Sequence, residues 1–171
     1  MGRFIIANQD ERVAKWVSSR MAIFEFGATP YTAIGLANET GSLLAGVVYQ
    51  NYTKTNIDMH VAALPGKRWL CKAFLGECFR YPFEQLQCAR VTGLVPGKNI
   101  AAAEFDQHIG FIWEGRVRRI LADGDDLIIY GMLREECRFL NVGRNHGHKQ
   151  HSTNDGWRRE TPKILSSGRH S

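Results

Sequence analysis

Residues 90–132 read RVTGLVPGKNIAAAEFDQHIGFIWEGRVRRILADGDDLIIYGM, and this stretch decides the fold. Arg90 to Val95 has the branched, apolar character of a strand, and Pro96-Gly97 ends it. Asn99 stands where a helix cap is wanted, and Gly110 breaks the helix that follows. Phe111 to Ile120 reads as a strand, Asp123-Gly124 as a turn, and Leu127 to Leu133 as the partner strand. Apolar Val91, Leu94, Val95, Ala101, Ala102 and Phe105 give the layout a buried side.

Working outward, Phe4 to Ile6 is a short apolar start. Asp10 is placed to cap a helix over about 11–20, with Val13, Trp16 and Val17 on one face. Residues 21–26 fit a short strand or a lead into an acceptor site. Residues 31–37 and 42–50 are strands around an Asn38–Gly41 turn, and Ile57 to Ala63 alternates as another. A helix is predicted over about 69–80, limited by Pro82, with room for a last turn through Leu86. The order predicts a mixed α/β fold, a central sheet flanked by helices.

The chain has 171 residues, of which 44% are hydrophobic, enough for one domain with a real core. No apolar run reaches the 18 or so residues of a membrane span, and no secretory leader is evident, so a cytoplasmic location is expected. Cys71, Cys78, Cys88 and Cys137 lack CxxC spacing and read as buried thiols. The net charge of +5 is uneven. Residues 1–143 carry 16 Lys/Arg against 15 Asp/Glu, whereas 144–171 carry six against two and four of the six histidines. We therefore expect a folded domain over 1–143 and a basic, His-containing flexible tail over 144–171. In that tail, Arg144, Lys149, Arg158, Arg159, Lys163 and Arg169 with Trp157 could contact nucleic acid, and His146, His148 and His151 could hold a metal weakly.

Phe83, Arg90-Val91, Asn99, Ala102, Gly110-Phe111, Glu114-Gly115, Arg118, Asp123-Gly124, Asp126 and Tyr130 form an ordered set. In order and spacing this set resembles the GNAT superfamily of acyl-CoA-dependent N-acetyltransferases, nearest the branch that acetylates ribosomal-protein N-termini. The resemblance covers about 110 residues, 31–80 more loosely. It implies a mixed, mainly antiparallel sheet flanked by helices. It also implies acetyl-CoA as cofactor and direct attack by a primary amine in a ternary complex, the amine being that of a protein N-terminus or lysine, with a polyamine or an aminoglycoside as small-molecule alternatives and a homodimer reasonable. Acidic Glu39, Asp58, Glu114, Asp123, Asp125 and Asp126 are available to attract a cationic acceptor.

The resemblance places the pyrophosphate loop on Gly66-Lys67-Arg68-Trp69-Leu70-Cys71, ahead of a helix whose N–H groups would bind phosphate. Trp69 and Cys71 stand where the family pattern has small residues. Val61 and Ala63 belong to the strand that would bond the pantetheine amides, and Asn99 would lie near the same arm. His60 is the first candidate base, since a neutral imidazole accepts a proton near pH 7; Glu25 is the second. Seven residues after Asn99, where many members carry a tyrosine acid, stands Asp106. An ionised aspartate cannot donate a proton unless its pKa is strongly raised. The alternative function is a catalytically weak or inactive binding or regulatory protein of the same fold, with the basic tail on nucleic acid or ribosome.

Overall fold

The computed structural model describes residues 2–21, 26, 28–66 and 69–140. The elements run β1 (Arg3–Ile6), α1 (Asp10–Ser18), β2 (Tyr31–Asn38), β3 (Leu43–Gln50), β4 (Asn56–Ala63), α2 (Lys72–Arg80), β5 (Arg90–Pro96), α3 (Ile100–Ile109), β6 (Ile112–Val117) and β7 (Leu127–Leu133). The seven strands form one sheet in the order β1-β2-β3-β4-β5-β7-β6. Every neighbouring pair is antiparallel except β4 and β5. This is the mixed, mainly antiparallel α/β architecture anticipated from the sequence.

Strand alternation divides the side chains between two faces. Val13, Ala14 and Val17 of α1 pack on one face with Ala33, Ala37, Val48 and Ala62. Gly35 and Gly46 allow that approach: a Cβ at Gly46 would stand 2.7 Å from Val17 Cγ2. Helices α2 and α3 cover the other face, where Ile34, Leu36, Val47, Tyr49, Ile57, Met59 and Val91 meet Phe74, Phe79, Phe83 and Ile109.

Three local expectations need correction. Gln9, not Asp10, holds the N-cap position of α1. Asp10 Oδ1 instead accepts from Ala33 N at 2.7 Å, tying the helix start to β2. Helix α2 begins at Lys72 rather than 69, because Cys71 is still extended at φ −133°, ψ 148°. The α-helix ends at Arg80 as expected, and the room for a last turn through Leu86 is taken by a π-helical segment over Tyr81–Gln85, closed by Leu86 N to Tyr81 O at 3.0 Å. The missing Pro82 N–H leaves the Cys78 carbonyl without its usual partner four residues on, and the Tyr49 hydroxyl donates to that carbonyl at 2.7 Å. Last, β6 stops at Val117, so 118–126 form a longer loop, pinned by Arg119 N to Asp126 Oδ1 at 2.7 Å and turned at Gly124, φ +77°. The short strand expected within 21–26 falls largely outside the described residues.

Three of the four cysteines are buried and Cys71 is half-buried, all as free thiols. Burial raises Cys78 well above an ordinary thiol. No described helix is long and apolar enough to cross a membrane.

Candidate functional site

The parallel ladder between β4 and β5 has three rungs: Asn56↔Arg90, Ile57↔Val91 and Asp58↔Thr92. Beyond them the strands part. β4 continues to pair with β3 as far as Ala63, and β5 with β7 as far as Pro96, so each keeps one ladder and opens its other edge. Met59–Ala63 and Leu94–Pro96 line the resulting cleft of about 570 Å³. Asn99, Ala102, Phe105 and Asp106 of α3 close one side, and Arg20 and Met21 reach it from the end of α1. Parted strands leave backbone N–H and C=O groups facing a cavity, where an extended amide-bearing chain would satisfy them.

The root of the ladder is fixed by polar side chains. Buried Asp58 accepts from Asn51 Nδ2 at 2.9 Å and Asn56 Nδ2 at 3.3 Å, and the Thr92 hydroxyl donates to Asn56 Oδ1 at 2.7 Å. Arg90, which bonds Glu114 at 2.6 Å, extends the network to β6. Asp58 and Glu114 are thereby occupied, and Asp126 pairs with Arg116 at 2.6 Å. Asp123 and Asp125 line the cleft; both bond Lys98, through its ammonium and its backbone N–H respectively.

Two buried titratable groups flank the point where the strands part. His60, 2% exposed, faces the α1 side with Ala62 by alternation, its ring 5.5 Å from that of Phe26. Gln50 Nε2 lies 3.1 Å from His60 Nε2, so the amide donates and the ring nitrogen accepts. Burial lowers His60 to about 4, and the ring is neutral at pH 7. Asp106, 9% exposed, lies on the α3 side. Its Oδ2 sits over Gly93, where a Cβ would stand only 2.9 Å away. Burial raises Asp106 to about 7, so a large fraction of it carries a proton at neutral pH.

The cleft brings together His60, Val61, Ala63 and Asn99 of the anticipated site. Asn99 caps α3 through Ala102 N at 3.2 Å while also lining the cleft. Gly66, Trp69, Leu70 and Cys71 are not among the lining residues. Gly66 turns at φ +64° with open space where a side chain would be. Trp69 packs its ring 5.2 Å from Phe105, tying the loop to α3, while Leu70 is exposed and Cys71 holds the N-cap position of α2. Glu25, Lys67, Arg68 and the whole tail from 144, with its nucleic-acid and metal candidates, lie outside the described residues. Among the described residues no group of three or more His, Cys, Asp or Glu is placed to hold a metal ion. Gly93 and Gln50 were not anticipated. A glycine inside the run VTGLV is a signal of close approach, and it marks the residue under Asp106.

No family model matches the sequence, and no curated protein sequence matches it. Solved structures do. A variant of the spermidine N-acetyltransferase SpeG from Vibrio cholerae superposes with a TM-score of 0.65 at 13% identity, covering 81% of this chain and 96% of that one. A dodecameric structure of the spermidine N-acetyltransferase from the same organism gives 0.63 at 13%, covering 84% and 98%. A probable acetyltransferase gives 0.54 at 24%, covering 62% and 63%. Identities this low establish architecture and not a branch. The chain therefore has the fold of the GNAT acetyltransferase superfamily.

Proposed function

We propose that this protein transfers the acetyl group of acetyl-CoA to a primary amine. The parting of β4 from β5 after Asp58↔Thr92 carries the reading, because it opens backbone groups to a cleft that crosses the sheet. The pantetheine arm would bond Met59–Ala63 along the open edge. The first N–H groups of α2, with Lys67 and Arg68, would meet the pyrophosphate. The thioester supplies an activated carbonyl; the protein supplies placement, worth several kcal/mol in a two-substrate reaction. The amine nitrogen bonds the carbonyl carbon, the carbon–sulfur bond breaks, and one amine proton is released.

His60 would receive that proton from the α1 side. It must first give up the Gln50 bond, and at a pKa of about 4 it would relay the proton to water rather than keep it. Glu25 is the other candidate base. The acceptor is a protein N-terminus, a lysine or a polyamine. The likeness to spermidine acetyltransferases supports the polyamine. A peptide is supported by the sheet beside the cleft, where Leu94 and Ile129 are only half-buried and Ile112 and Val117 are exposed. Subunit pairing and a cytoplasmic site of action belong to the same reading.

Calorimetry with acetyl-CoA tests it, followed by thiol release with spermidine and with a free-N-terminus peptide. Micromolar binding is expected. Ala102→Trp, which fills the cleft, should weaken it at least about tenfold, or about 1.4 kcal/mol. Absence of binding to folded wild type would sink the proposal. It would favour a second reading, a binding protein without transfer, which rests on Trp69 packed on Phe105 where the family pattern has a small residue.

A further inference from the structure

Asp106 is buried chemistry that the scheme above does not use. Asp106 is 9% exposed, lines the cleft, and holds Oδ2 over Gly93, the first β5 residue beyond the last rung shared with β4. Among the described residues no donor is bonded to it, and desolvation alone accounts for its shifted titration. A purely structural buried carboxylate gathers hydrogen bonds, as Asp58 does from two asparagines. Asp106 gathers none, and Gly93 forgoes a side chain beneath it. The elements packed around it add little charge. Phe111 lies beside it over Gly93, Tyr130 is the β7 partner of Gly93, and Gln107 on its own helix bonds the Tyr130 hydroxyl at 3.2 Å. Of the other cleft groups, Lys98 and Asp123 pair with each other, Asp125 bonds Lys98 N, Arg20 stacks on Trp16, and His60 lies on the opposite face.

We propose that Asp106 is the acid that protonates the departing thiolate. The inference rests on the acetyl-transfer reading and deepens it. As the carbon–sulfur bond breaks, the Asp106 carboxyl proton passes to sulfur, giving the free thiol of CoA. The carboxylate left behind takes up, through cleft water, the proton that the attacking nitrogen releases. No proton is gained or lost overall, and Asp106 returns to its acid form. The apolar surroundings that make ionisation costly here also make the proton available near neutral pH.

The decisive measurement is calorimetry of CoA binding across pH 5.5–8.5 for wild type and Asp106→Asn. An acid beside the sulfur should couple binding to a protonation step near pH 7 in wild type, absent from the variant. With an accepted amine, Asp106→Asn should lower kcat about 100-fold or more, leave KM for acetyl-CoA within about twofold, and lose the alkaline limb of the pH profile. That deficit should shrink with an acetyl thioester whose thiol is more acidic, a readout that a purely structural role would not move. Binding without the pH step, or an unchanged kcat and profile, overturns the role of Asp106 and leaves acetyl transfer standing. No CoA binding to folded wild type overturns both.

Discussion

Gly93 has no room for a side chain because Asp106 is already there. Gly93→Ala should push the carboxylate aside or strain β5, costing about 1–3 kcal/mol in chemical denaturation. His60 and Asp106 also set a test in pH. Burial lowers His60 from 6.5 to about 4, so between those values the unfolded chain binds the extra proton and stability rises with pH. Burial raises Asp106 from 3.8 to about 7, so there the folded chain binds the extra proton and stability falls as pH rises. Each slope is about 1.4 kcal/mol per pH unit, and the two cancel where they overlap. Asp106→Asn should therefore gain on wild type steadily from pH 4 to 7 in urea midpoints. A constant difference between the two proteins would show that Asp106 does not titrate in that window. The position of Asp106 was legible in the sequence, but its burial was not, since that depends on α3 lying across a glycine in another element. Asn99 was legible as a cap because a cap is local. Asp10 was misplaced because its partner, Ala33 N, lies 23 residues away.

At the scale of elements, the turn after α2 shows how a proline is accommodated. Pro82 removes a donor and should stop a helix. Here the turn widens, and Tyr49 from β3 serves the carbonyl that proline cannot. Tyr49→Phe should leave that buried carbonyl short of a donor and cost about 1–3 kcal/mol, read as a lower melting temperature with the fold retained by circular dichroism. Strands were legible because alternation and turn residues are local signals. The insertion of β7 between β5 and β6 was not, since a strand–loop–strand reading fixes which strands pair but not which of them joins the rest of the sheet.

For the whole molecule, the core closes at its last described residues. Phe139 is buried and stacks on Phe79, with centroids 5.3 Å apart, and Phe79 in turn touches Phe83 and Phe111. Phe139→Ala should cost about 3–5 kcal/mol, measured by urea unfolding. The domain boundary expected at 143 lies outside the described residues. The cleft itself was the least legible feature. It arises from where a ladder ends, and no residue pattern announces the rung at which two parallel strands separate.

That three-rung junction has a consequence for how the polypeptide can be divided. β1 to β4 come from one unbroken stretch of chain and β5 to β7 from another, and the crossover between them passes through exposed Gly66, with open space around it. The two stretches still share a core, because α2 from the second packs beneath the strands of the first. A backbone nick at Gly66 would sever almost no sheet pairing, so two separately expressed pieces should reassemble by fragment complementation. The gap between β4 and β5 is also the line along which the molecule could be split and rejoined.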